Sequence, residues 1–225
     1  MAAPATRSRV IEAFSETVAL TVGALIPIMN PFSTAPLFAS LTSGMDPRKR
    51  NQQALLSCVY AFAILAVFLL LGSAIIDFFG ISVSGVRVAG GLIISAIGFR
   101  MLFPGPPPPP GNGAAGPDRQ DVAFTPIAMP SLAGPGSISV VLTAAGYIQN
   151  GRPSDWRLIY AAVLVGMVVT LVFSYLVLRV AGSMVRFLGR GGLDAMTRIF
   201  GFLLICVGMQ FLLTGIRDFY GLRAG

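Results

Sequence analysis

The chain contains no histidine, two cysteines, one tryptophan and one lysine among 225 residues, and only nine acidic side chains. Without histidine there is no serine–histidine pair for nucleophilic catalysis, and no two aspartates fall within one apolar segment to form an acid dyad. No glycine-rich phosphate loop follows a strand pattern either. The sequence therefore does not read as an enzyme. Cys58 and Cys206 stand alone in separate apolar segments, which excludes a metal spacing and a disulfide framework and leaves both as small core thiols. Asp77, Asp194 and Asp218 sit at segment ends, so no buried carboxylate or imidazole is available to relay protons. Neither a cofactor nor a bound metal is expected.

What the chain has is apolar surface: 55% of residues are hydrophobic and 11% charged, with a mean hydropathy of +0.79. These values belong to an integral membrane protein rather than a soluble domain. Between charges, uncharged stretches run Thr17 to Met45, Asn51 to Ile76, Val88 to Phe99, Val122 to Gly151, Leu158 to Leu178 and Ile199 to Ile216. A span needs about 17 to 25 residues, and five of the six qualify directly. The third is short, but Arg87 and Arg100 at its ends can extend their heads to the headgroups while their stems stay apolar. Six transmembrane helices are expected. The first follows Arg7, Arg9, Glu12 and Glu16 with no small-residue cleavage site, and reads as a retained helix rather than a signal peptide. The net charge of +7 comes almost wholly from arginines scattered at segment ends. They read as interfacial anchors, with no clustered face for nucleic acid.

A proline pattern recurs. Pro27, Pro31 and Pro36 are spaced as Pro126, Pro130 and Pro135, and a shift of 99 residues superimposes all three and places Ile28 on Ile127. At a shift of 110, Gly91, Gly98 and Arg100 fall on Gly201, Gly208 and Gln210. Between the halves lies Pro104 to Asp121, with five consecutive prolines from Pro106 to Pro110, an extended and solvated linker. The expected organisation is a three-helix repeat over 1–103, a linker over 104–121 and a second three-helix repeat over 122–225. Because each unit has an odd number of spans, the two enter the membrane in opposite senses and form an inverted pair. Helices 1 and 4 are then broken at mid-membrane. The compact Arg48, Lys49, Arg50 cluster favours the cytoplasm for the loop after the first span, with both termini outside.

The broken segments carry the chemistry. Asn30, Ser33 and Thr34 lie where lipid would exclude polar groups, so they must face protein or water. Each internal proline frees a carbonyl four residues earlier: Pro31 that of Pro27, Pro36 that of Phe32, Pro130 that of Pro126 and Pro135 that of Ser131. Pro36 and Pro135 suit the first position of a fresh half-helix, whose open amides would aim inward. Gly134 and Gly136 allow close backbone approach, while Ser131 and Ser137 add hydroxyls. Donors for a carboxylate and acceptors for an ammonium together fit a small zwitterion, with Phe32, Met29, Leu132 and Met129 as apolar walls. Arg100 reads as an interfacial anchor rather than the lining of an access route.

Asn30-Pro31 with Pro36-Leu37-Phe38, Met129-Pro130 with Ala133-Gly134-Pro135-Gly136, and Gly98-Phe99-Arg100-Met101-Leu102 together resemble the signatures of the MarC family. The likeness covers the chain except its poly-proline linker. It implies a six-helix bacterial inner-membrane protein with two inverted repeats, in a family whose members with assigned activity move small neutral amino acids. It also implies that the interrupted first and fourth helices bind substrate, here at Asn30, Pro31, Ser33, Gly134, Pro135 and Gly136. The expected function is a secondary transporter, exporter or exchanger, of amino acids such as glycine or alanine. The alternatives are an accessory membrane protein without cargo of its own and a transporter of another small solute. A metal cargo is disfavoured by the few acidic and sulfur ligands. Substrate identity, coupling ion and oligomeric state are not specified.

Overall fold

A computed structural model of the chain describes residues 4–104, 122–151 and 156–221; the linker expected over 104–121 lies outside these apart from Pro104. Every regular element among the described residues is helical. In chain order they are α1 (Pro4–Met29), α2 (Pro31–Leu41), α3 (Pro47–Phe79), α4 (Val83–Leu102), a wide π-type coil π1 (Ala123–Leu132), α5 (Pro135–Gly151), α6 (Trp156–Arg179) and α7 (Ala181–Tyr220). Five stretches are long and apolar enough to cross a membrane: Val10–Met29, Pro47–Phe79, Val83–Leu102, Trp156–Arg179 and Gly191–Tyr220. π1 and α5, bent by 61° where they meet, make a sixth if counted as one span.

Local chemistry sets the boundaries. α3 opens with Pro47, whose missing N–H is no loss at a first helical position, and closes on Gly80 at φ 62°, a left-handed conformation that glycine adopts without strain. Ser82 caps α4 by accepting a 3.0 Å hydrogen bond from the Gly85 amide. Only Val180 separates α6 from α7, and Gly189 (φ 63°, ψ −179°) breaks α7 before its membrane-crossing part begins. That conformation is open essentially to glycine alone.

The short third apolar run becomes a full 20-residue helix because α4 extends through both of its arginines. Arg100 is exposed, in keeping with an anchor. Arg87 behaves differently: instead of reaching outward it places Nη1 2.9 Å from Asp218 Oδ2 and lays its guanidinium 4.4 Å from the centroid of the Tyr147 ring. The Tyr147 hydroxyl donates to the same carboxylate. A half-buried charge with an opposite charge and an aromatic face within reach gains more from them than from snorkelling. The cluster ties α4, α5 and α7 together at one end of the bundle.

Helix packing rests on small residues. α4 lies along α7 with Gly91 against Gly208 and Gly98 against Gly201: a Cβ on Gly91 would sit 2.5 Å from the Gly208 carbonyl oxygen, and one on Gly98 2.6 Å from that of Gly201. Gly166 of α6 likewise receives Thr21 of α1, where a Cβ would lie 2.6 Å away. In lipid, where hydrophobic driving force between helices is weak, such close backbone approach supplies the dispersion contacts that hold spans together. Leu20, Leu70, Phe78, Ile199, Phe202 and Leu213 remain exposed, as side chains facing acyl chains do. Cys58 is a core thiol as expected, but Cys206 is exposed. It lies on a flank of α7 that carries exposed apolar residues, where a thiol is as compatible with lipid as with a core.

Candidate functional site

The chain is interrupted at Asn30, and the break is built by that residue. Asn30 takes a left-handed conformation (φ 39°, ψ 65°), among the few that a non-glycine side chain with a short polar group tolerates. Its side-chain oxygen accepts from the Ser33 amide at 3.3 Å, and its carbonyl accepts from the Ser33 hydroxyl at 3.1 Å and the Thr34 hydroxyl at 3.3 Å. Pro31 therefore occupies the first position of α2, where its fixed φ is favourable, and Pro36 lies inside that helix. The expectation that Pro36 opens the new half-helix is thus corrected by five residues, to Pro31. The expectation of open amides at its start is corrected as well. Asn30 already occupies the amides of Ser33 and Thr34.

The second interruption has another construction. π1 holds cis peptide bonds at Thr125–Pro126 and Met129–Pro130, and Thr125 and Met129 have extended backbone angles (φ −125°, ψ 125° and φ −129°, ψ 125°). The carbonyl of Pro126, expected to be free, accepts the Ser131 hydroxyl at 2.9 Å. Ser137 donates to the Leu132 carbonyl at 3.0 Å, and the Ala133 amide to that of Ala128 at 2.8 Å. Irregular backbone within an apolar protein must satisfy its own acceptors, and here two serines do so. As expected, Pro135 opens a new helix, α5. A Cβ on Gly134 would meet the Pro130 carbonyl at 2.5 Å, so only glycine permits this turn.

The two interruptions meet. Gly136 abuts Ile28 and Ile94, either of which would lie 3.0 Å from an added Cβ, and α2 packs on π1. Asn30, Pro31, Thr34, Gly134, Gly136 and Ser137 are buried, Phe32, Ser33, Pro36 and Ser131 half-buried, and Pro135 exposed. Among the proposed walls, Met29 and Leu132 are buried. Met129, in extended backbone, is 39% exposed. Phe32 stacks on Phe200 at 5.1 Å and meets Phe173 edge-on at 5.8 Å, pointing toward α7 and α6.

Several contributors were not foreseen. The Asn30 amide nitrogen lies 3.6 Å from the sulfur of Met101, 71 residues away, and the Val122 amide donates to Gln53 Oε1 at 3.0 Å, fastening the start of π1 to α3. Neither pairing leaves a spacing signal, since each joins different helices. Among the described residues no three metal-ligating side chains converge.

These features define a polytopic helical membrane protein in which two proline-interrupted segments pack together. The chain belongs to the MarC family: the family model for MarC family integral membrane proteins matches residues 14–220. It is 39% identical over 211 residues to the UPF0056 inner membrane protein MarC of Escherichia coli (strain K12), covering 90% of this chain and 95% of that protein. The proteins of the same name from Shigella flexneri and Escherichia coli (strain SMS-3-5 / SECEC) show the same identity and coverage. No solved structure matches. Family and helices together assign the chain to the inner membrane.

Proposed function

We propose that the chain is a secondary transporter, an exporter or exchanger, of small neutral amino acids such as glycine or alanine, and that substrate binds where the two interruptions meet. The observation that carries this reading is the contact of Gly136 with Ile28, which brings the Asn30 break and the α5 start into one locus. Discontinuous spans whose irregular backbone converges are the usual construction of a carrier's binding site. The glycine contacts support an inverted pair of repeats. If 91 and 98 correspond to 201 and 208, a two-fold exchange of the halves maps the contact of Gly91 with Gly208 onto that of Gly201 with Gly98, and both contacts occur. With Asn30 at 3% exposure, the conformation fits an occluded state of such a carrier.

The same burial favours a second reading, an accessory membrane protein whose interrupted helices serve packing alone. Counterflow separates the two. Proteoliposomes preloaded with unlabelled glycine or alanine are expected to accumulate the radiolabelled amino acid transiently, above protein-free vesicles. Absence of counterflow for every neutral amino acid, from protein shown to be folded, sinks the transporter reading.

A further inference from the structure

We infer that a groove between α3 and α6 seats an acyl chain of an anionic phospholipid whose headgroup is held by Arg48 and Arg179. The groove, of about 210 Å³, is lined from α3 by Leu55, Cys58, Val59 and Phe62 and from α6 by Val168, Leu171, Val172 and Tyr175. Each set follows the three-and-four spacing of a single helix face. Continuing each face by seven residues leads from Leu55 back to Arg48 and from Val172 forward to Arg179, because two helical turns return to nearly the same side. Seven residues rise about 10 Å, which carries both arginines from the apolar groove toward headgroup depth.

Both arginines stand at the same end of the groove. Gly182, three residues past Arg179, lies against Arg50, whose Nη1 is 3.5 Å from the place of a Gly182 Cβ. The end of α6 therefore adjoins the start of α3. Arg48 and Arg179 are exposed, and neither makes an ion pair or hydrogen bond among the described residues. Asp46, the nearest acid in sequence, is the N-cap before α3 and makes no ion pair with Arg48 among the described residues. Two unpaired guanidiniums above an apolar slot complement a phosphodiester. They also repel the choline cation of a zwitterionic headgroup, which selects a lipid of net negative charge.

Native mass spectrometry of the full chain in detergent tests this with phosphatidylglycerol and phosphatidylcholine of identical acyl chains. The wild type is expected to retain phosphatidylglycerol about tenfold or more over phosphatidylcholine. In the double variant R48Q/R179Q the two lipids should come within about twofold of each other. V172W, which fills the groove, should weaken both, while R157Q, at the far end of α6, should keep the preference. Equal retention by the wild type, or a preference that survives R48Q/R179Q or falls equally in R157Q, overturns the assignment. So does a dimer, disrupted by V172W, that occupies the groove in place of lipid.

Discussion

Gly91→Val is expected to lower the melting temperature of the purified protein by about 10 °C, and Gly208→Val to do the same. At Gly91 the first added carbon meets the Gly208 carbonyl oxygen at 2.5 Å and the Leu212 amide nitrogen at 2.6 Å; at Gly208 it meets the Ser95 amide at 2.6 Å and the Gly91 carbonyl at 2.7 Å. The Ser95 hydroxyl, nearer still to Gly208, can rotate away, but these four atoms are backbone, which has no rotamer to change, so α4 and α7 must separate along their length. Overpacking of this kind costs about 3 kcal/mol at the upper end of its usual range, and about 3 °C per kcal/mol for a chain of this size gives the stated shift. Gly23→Ala is the control. Nothing lies within 4 Å of a Cβ there, and alanine is the better helix former, so its melting temperature should equal or slightly exceed that of the wild type. Differential scanning fluorimetry in detergent reads all three.

The second large effect is expected at Asn30. Asn30→Leu removes the acceptor that caps α2, worth about 1 kcal/mol, and forces a branched side chain into the left-handed region at about 1 to 2 kcal/mol more. Together these change the balance between this break and any competing conformation by roughly 30- to 140-fold, and on the proposed transporter function counterflow should fall below a tenth of the wild-type rate. Asn30→Gly separates the causes. Glycine adopts the same backbone and loses only a few tenths of a kcal/mol as a cap, so the variant keeps wild-type stability. If Asn30 contributes its amide to substrate as well as its shape, counterflow falls in Asn30→Gly too. If the break alone matters, Asn30→Gly transports like the wild type.

The larger architecture was legible because the bilayer imposes it. Runs bounded by arginines had to be spans, and the α3, α6 and α7 runs lie within long helices near their predicted places. The glycines aligned at a shift of 110 residues are the ones that interlock α4 with α7, since only small residues let two spans approach so closely. The interruptions were legible as positions but not as conformations. Equal proline spacing suggested equal breaks, yet Asn30 turns one into a capped left-handed joint while Thr125 and Met129 turn the other into a wide coil with extended residues. The difference comes from the residue before each second proline: Asn30 has a short polar side chain that caps, and Met129 does not. Freed carbonyls were overcounted for a related reason. Ser131 lies five residues past Pro126 and takes up its oxygen, a contact that needs the coil's geometry and is invisible in a helical register. The role of Arg87 was missed because its partners, Tyr147 and Asp218, come from other helices.

The proposal that substrate reaches the start of α2 is tested most directly at Ser33, a half-buried hydroxyl beside the break. With Cys58 and Cys206 replaced by alanine, Ser33→Cys is reacted with a small methanethiosulfonate reagent in proteoliposomes, with and without saturating glycine or alanine. The account predicts that the amino acid slows modification several-fold, while an equal concentration of a sugar does not. Modification at one rate whatever neutral amino acid is present would contradict it.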